Sequence, residues 1–94
     1  MTQQYLCGEL SLLLARLGAI AGDRSAGTVA RLRYEAETSP PRAMGAVVVH
    51  ALNLVDEHCW DSMTQGDGEA FSRQAVIGAE LRSFGACAGL LGEA

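Results

Sequence analysis

The residues of this chain that could do chemistry are three cysteines, two histidines and a short run of acids. Cys7, Cys59 and Cys87 contain no Cys-x-x-Cys pair, so a zinc knuckle is not written into their spacing. A chain that folds back at Gly66-Asp67-Gly68 sets Cys59 and Cys87 about 20 Å apart along the helix axis. Metal–sulfur bonds near 2.3 Å cannot span that gap. Cys7 and Cys87 fall at one end, where the two thiols could meet. The spacing otherwise predicts three small reduced thiols. His50 and His58 are eight apart, and neither His-x-x-x-His nor Glu-x-x-His occurs. The zinc-protease and di-iron signatures are therefore missing. His58 lies beside an apolar stripe, where a hydrogen-bonded structural histidine is expected.

Lysine is absent, and all seven basic residues are Arg. Schiff-base catalysis, a pyridoxal anchor and a Walker A loop each need the Lys amine, so each is excluded. Asp61 to Ser72 has the length of a calcium loop, but Met63 and Ser72 occupy positions that need oxygen ligands and a bidentate Glu. Gly66-Asp67-Gly68 opens like a dinucleotide loop, yet Phe71 stands where its last Gly belongs. No Gly-x-Ser-x-Gly occurs. These readings assign no catalytic residue, no metal and no cofactor, and the chain is expected not to be an enzyme.

Asp56, Glu57 and Asp61 are a different matter. Glu57 and Asp61 are like charges at i,i+4, and all three approach the negative end of a helix dipole. Folding the chain at Gly66 brings Arg73 near them, which predicts an intrachain ion pair. The functional readings are a cation site or a docking point for a basic partner, with Trp60, the single Trp, beside it.

The elements that must position these residues follow from spacing. Leu6, Leu10, Leu13, Leu17 and Ile20 recur at 4-3-4-3, which predicts a helix over residues 3–21 ended by Gly22-Asp23. Residues 25–38 are expected to form a second helix, with Ser25 as N-cap and Val29, Leu32 and Ala36 inward. The pairs Arg31–Glu35 and Arg33–Glu37 favour it, with a strand as the alternative. Pro40-Pro41 opens a third helix running to about Gln65. Its main stripe reads Met44, Val48, Leu52, Val55, Cys59 and Met63, with Val47, Val49, Leu54 and Trp60 widening the apolar arc. Gly66 stops it and Asp67 caps a fourth helix, from about Gly68 to Leu91, with Ile77, Leu81, Phe84, Ala88 and Leu91 inward. Short connections predict an all-α, up-and-down four-helix bundle with a long C-terminal helical hairpin, in a single domain over residues 1–94.

Composition agrees with one modest core. The chain has 94 residues, 49% of them hydrophobic, and only five aromatic side chains against eleven Gly. Net charge is −4. Residues 1–47 carry five Arg against four acids, and residues 48–94 carry two Arg against seven. An acidic chain without an Arg cluster argues against nucleic acid. The longest apolar stretch, residues 43–55, falls short of the roughly 18–20 needed to cross a bilayer. The order of charges near the N-terminus is the reverse of a signal peptide. The expected location is the cytoplasm, with no membrane partner.

Several glycines fall inside the proposed helices, each costing about 1 kcal/mol against Ala. Phe71, Ala75, Gly78, Gly85, Ala86 and Gly89 share one face of the fourth helix, a strip that admits a close neighbour. Opposite the Leu stripe of the first helix lie Tyr5, Gly8, Leu12, Ala15 and Ala19. Four helices cannot cover so many apolar faces, which predicts a homodimer. The alternative is that all these faces meet inside one bundle. The function that follows is a protein–protein interaction module: an adaptor, regulator or small subunit. It would work through Tyr5, Leu12, Asp56, Glu57, Trp60 and Asp61. The alternative function is a bundle holding a small molecule or cofactor between its last two helices.

Overall fold

A computed structural model describes residues 3–89, and among them every regular element is helical. Helix α1 spans Gln3–Ala21, α2 Ala26–Thr38, α3 Met44–Gln65 and α4 Gly68–Cys87. Two single 3-10 turns, Asp23–Ser25 and Pro41–Ala43, lead into α2 and α3. Residues 25–38 are thus helix, not strand. Helix α4 stops at Cys87, short of the expected end near Leu91, where Ala88 caps it and Gly89 turns left-handed at φ 70°; Leu91 itself lies outside the described residues.

The core is aliphatic, as the composition requires. Leu10, Leu14 and Leu17 of α1, Leu32 of α2, Met44, Val48 and Val55 of α3, and Leu81 of α4 are fully enclosed. Each such side chain contributes about 1.5–3 kcal/mol of burial free energy. The α1 stripe lies inward as its spacing predicts, with Ile20 half-buried at the end. Val29, Leu32 and Ala36 are the buried residues of α2. Arg31 and Glu35 pair at 3.8 Å on its outer side. Glu37 accepts a hydrogen bond from the Ser11 hydroxyl of α1 at 2.9 Å.

The face of α3 differs from its expected stripe. Met44, Val47, Val48, Ala51, Leu54, Val55, His58 and Ser62 are buried. Leu52 and Cys59 are half-buried, while Met63 is 55% exposed. The buried arc is turned toward Ala51, His58 and Ser62 because α3 has α2 on one side and α4 on the other. The polar members are tolerated because each finds a partner. The Ser62 hydroxyl donates to Gln74 Oε1 at 2.9 Å, in a buried pair between α3 and α4.

The turns obey local chemistry. Gly66 closes α3 in the left-handed region at φ 74°, which an L side chain rarely adopts. Asp67 then caps α4, its Oδ1 accepting from the Ala70 backbone N–H at 3.1 Å. Ser25 precedes α2 as expected but makes no cap bond with its side chain. Its hydroxyl is engaged by α3 instead.

Of the glycine strip on α4, Gly78 meets a neighbour within the chain, whereas Gly89 has open space at its Cβ position and Ala75 and Ala86 are exposed. A Cβ on Gly78 would lie 3.1 Å from Val55 Cγ1, and one on Gly18 would lie 3.2 Å from Val29 Cγ1. Gly78 therefore lets α4 approach α3, and Gly18 lets α1 approach α2. Gly8 has open space at the same position.

Candidate interaction surface

The six residues named from sequence do not form one site. Tyr5 and Leu12 are 53% and 59% exposed on α1. Tyr5 lines a groove between α1 and α4 together with Leu13, Phe84 and Cys87. Leu12 lines another, between α1 and α2, with Gly8, Ala15 and Arg33. The face opposite the Leu stripe thus points outward, with Ala15 half-buried.

The acidic run is divided among three surroundings. Asp61 Oδ2 meets Arg24 Nη1 at 2.6 Å, tying α3 to the turn before α2. Asp56 Oδ1 lies 3.8 Å from Arg82 Nη2 of α4. Glu57 lines a groove between α2 and α3 with Thr28, His50 and Asn53. The counter-ion expected for this run, Arg73, instead pairs with Glu69 of its own helix at 3.5 Å. Rotation explains the difference. Arg73 stands nine positions before Arg82, half a turn away at 100° per residue, so the two point to opposite sides of α4.

Like charges at i,i+4 are thereby tolerated, since Asp61 is neutralised by Arg24 while Glu57 faces a different groove. Next to Asp61 in space, His58 Nε2 and Ser25 Oγ share a buried hydrogen bond of 2.8 Å. This is the structural histidine that its place beside an apolar stripe predicts. Among the described residues, no three His, Cys, Asp or Glu side chains gather where they could hold one metal ion. Cys7, Cys59 and Cys87 are free, the last of them exposed. Burial pushes the Cys59 thiol above its ordinary pKa, and the negative charge of Asp56 pushes it further, with Arg82 acting in the opposite sense.

Around Asp56 and Trp60 lies a surface that residue types and spacing only half identify. Trp60 is 63% exposed, Met63 55% and Val49 45%. At 100° per residue these three and Asp56 fall within about 60° of one another on α3. On α4, Phe71, Ala75, Gly78 and Arg82 fall within a similar arc. The contacts of Gly78 with Val55 and of Arg82 with Asp56 turn that arc toward α3. Phe71 is itself 36% exposed. The result is a joint α3–α4 face of apolar side chains with one ion pair in it. The 4-3-4 spacing of Phe71, Ala75, Gly78 and Arg82 was the signal for the missing members. Continued past the glycines, it reaches the arginine that Asp56 meets.

Among the described residues, no helix is long and apolar enough to cross a membrane. No family model, no curated protein and no solved structure matches the chain.

Proposed function

We propose that this chain is a non-enzymatic, cytoplasmic interaction module that binds another protein, and a second copy of itself, through an exposed helix face. It serves as an adaptor, regulator or small subunit, and neither nucleic acid nor membrane is its partner. The observation that carries this reading is the exposure of Val49, Trp60 and Met63, which share one side of α3 by helical period, together with that of Phe71 on α4. Single exposed apolar residues are ordinary, whereas several on one side of a helix, Trp and Met among them, have the composition of a docking surface. Three separate thiols fit a reducing compartment.

The architecture behind this reading is an up-and-down bundle whose α3 and α4 form a long antiparallel hairpin. Its support is the register of the contacts. Ser62, near the end of α3, meets Gln74, near the start of α4. Val55 and Asp56, at the middle of α3, meet Gly78 and Arg82, at and beyond the middle of α4.

The test is capture of partners from the native host by the whole chain and by a Trp60→Glu, Met63→Glu double variant. A partner held by the natural chain and lost by the variant supports the reading. Retention of every captured partner by the variant overturns it.

A small-molecule reading has one observation in its favour. The groove between α1 and α4 has a volume of about 310 Å³ and an aromatic lining from Tyr5 and Phe84, at the lower end of ligand-site sizes. Between α3 and α4, by contrast, Val55 fills the space that a flat ligand would use beside Gly78. Native mass spectrometry of the protein from its host separates the readings, because a bound ligand adds a fixed mass.

A further inference from the structure

We infer that the α3–α4 face docks a second copy of this chain about a two-fold axis, with Asp56 of each copy paired to Arg82 of the other. This rests on the interaction reading above and specifies the partner and the contact.

Charge is the deciding feature. The chain as a whole carries −4, so two copies repel over most approaches. Within the arc that holds Val49, Trp60, Met63, Phe71 and Ala75, the charged residues are Asp56 and Arg82, one of each sign. A two-fold contact requires a patch that complements itself, since residue i meets j and j meets i. A patch with one acid and one base at its centre meets that requirement. A strongly basic or acidic partner would find no net charge there to match.

The intrachain pair leaves its members available. Asp56 and Arg82 are 3.8 Å apart, with side chains 64% and 61% exposed. A loose pair at that exposure contributes almost nothing to the monomer. Between two copies the same groups would be shielded from water by the surrounding apolar side chains, where charge pairing is stronger and more selective. Trp60 beside them has the side chain most often dominant in such contacts.

The size of the face places the contact among weak ones. From Val49 to Met63 is about 21 Å along α3, and two packed helices are about 20 Å wide. That gives roughly 400–500 Å² per copy, below the range of stable specific interfaces and within that of weak, transient ones. The expected dissociation constant is therefore micromolar, in the range of about 1–100 µM.

Sedimentation of the whole chain from about 1 to about 300 µM, beside the Asp56→Arg and Arg82→Asp variants, tests this. The natural chain is expected to pass from monomer to dimer, and the Trp60 emission to shift to the blue over the same concentrations. Each variant alone places like charges across the axis twice and is expected to pair at least about tenfold more weakly. An equimolar mixture of the two restores both opposite-sign contacts and is expected to form a heterodimer. Circular dichroism checks that each variant keeps its helices. Should one not, the concentration dependence of Trp60 emission in the natural chain decides for or against the face alone. A natural chain that stays monomeric throughout overturns the inference. So does a dimer indifferent to both variants, and so does loss of pairing that mixing fails to rescue. A monomer that still captures a partner through Trp60 and Met63 leaves the interaction reading standing, so the two failures are distinguishable.

Discussion

Ser25 Oγ lies 2.8 Å from His58 Nε2, a hydrogen bond between two buried side chains 33 positions apart in the chain. The neighbouring residue, Arg24, holds Asp61 at 2.6 Å. His58 and Asp61 are i,i+3 on α3 and so lie on one side of it. Two consecutive residues of the α1–α2 connection thus grip two residues on a single face of α3. Ser25 stands at the N-cap position of α2 but leaves the cap unmade, because its hydroxyl satisfies a buried ring nitrogen. A buried polar atom without a partner costs more than an unmade cap at a solvent-exposed helix end.

Removing either member of this pair is therefore expected to destabilise the fold. Ser25→Ala leaves the His58 nitrogen without its partner and should cost about 1–3 kcal/mol. His58→Ala removes the ring as well and should cost about 2–4 kcal/mol, since a cavity adds to the lost bond. Arg24→Ala breaks only an exposed ion pair and should cost less than about 1 kcal/mol. Urea unfolding of the Ser25→Ala and His58→Ala variants and of their double variant gives the coupling energy. A coupling near zero would show that the bond contributes nothing to stability.

The glycines inside the helices should separate by what lies opposite them. Gly8 faces open space, so Gly8→Ala supplies helix propensity without a clash. It is expected to stabilise by about 0.5–1 kcal/mol. Gly78→Ala places a methyl 3.1 Å from Val55 Cγ1, and Val is stiff at χ1, so the helices must part slightly. That loss of packing should cancel the propensity gain or exceed it. Thermal unfolding of the pair checks the ordering. A Gly78→Ala variant more stable than Gly8→Ala would refute the view that Gly78 serves close packing.

How far the sequence foretold this depends on the range of the interaction. Leu6, Leu10, Leu13 and Leu17 could be read as a buried stripe because their period is local. So could Val29, Leu32 and Ala36. The Gly66-Asp67 turn was legible for the same reason, since both residues act on backbone within four positions. The face of α3 was not. Its apolar residues occupy a broad arc, and hydrophobicity alone centres that arc between Val48 and Cys59. The structure centres it on Ala51, His58 and Ser62, whose burial depends on Ser25 and Gln74, side chains that only the tertiary fold brings near. The candidate surface shows the same division. Asp56 and Trp60 stand out by their own types, and Val49 and Met63 share their side of α3 by helical period, whereas Phe71 and Arg82 join the face only because α3 and α4 lie side by side.

The turn between α3 and α4 gives a sharper test of local coding. Gly66 is at φ 74°, so Gly66→Ala forces a Cβ into the left-handed region at a cost of about 1–2 kcal/mol. Asp67→Ala removes the oxygen that accepts from Ala70 N–H and should cost about 1 kcal/mol. Asp67→Ser retains a capping oxygen and should recover most of that loss. Equilibrium unfolding of the three variants measures these values. Equal stability of the Ala and Ser variants at position 67 would rule out the cap.

The Cys59 thiol reports on the field at the candidate surface. Its pKa is raised chiefly by burial and next by the charge of Asp56, and Arg82 opposes the rise. The folded state therefore favours the neutral thiol. Its contribution to stability is present below the unfolded thiol's pKa and is lost as pH rises through the folded value. The thiolate is the nucleophile, so alkylation of Cys59 by iodoacetamide at pH 8 should be slower than in the unfolded chain. Asp56→Asn removes one source of the rise and should speed the reaction by about two- to threefold, while Arg82→Gln should slow it, since a whole pKa unit would be tenfold. Peptide mass spectrometry at about 0.01 µM protein, far below the concentrations at which copies are expected to pair, reads Cys59 separately from Cys7 and Cys87. Rates unchanged in both variants would mean that water screens Asp56 and Arg82 from the thiol, and that their charges are too exposed to govern groups around them.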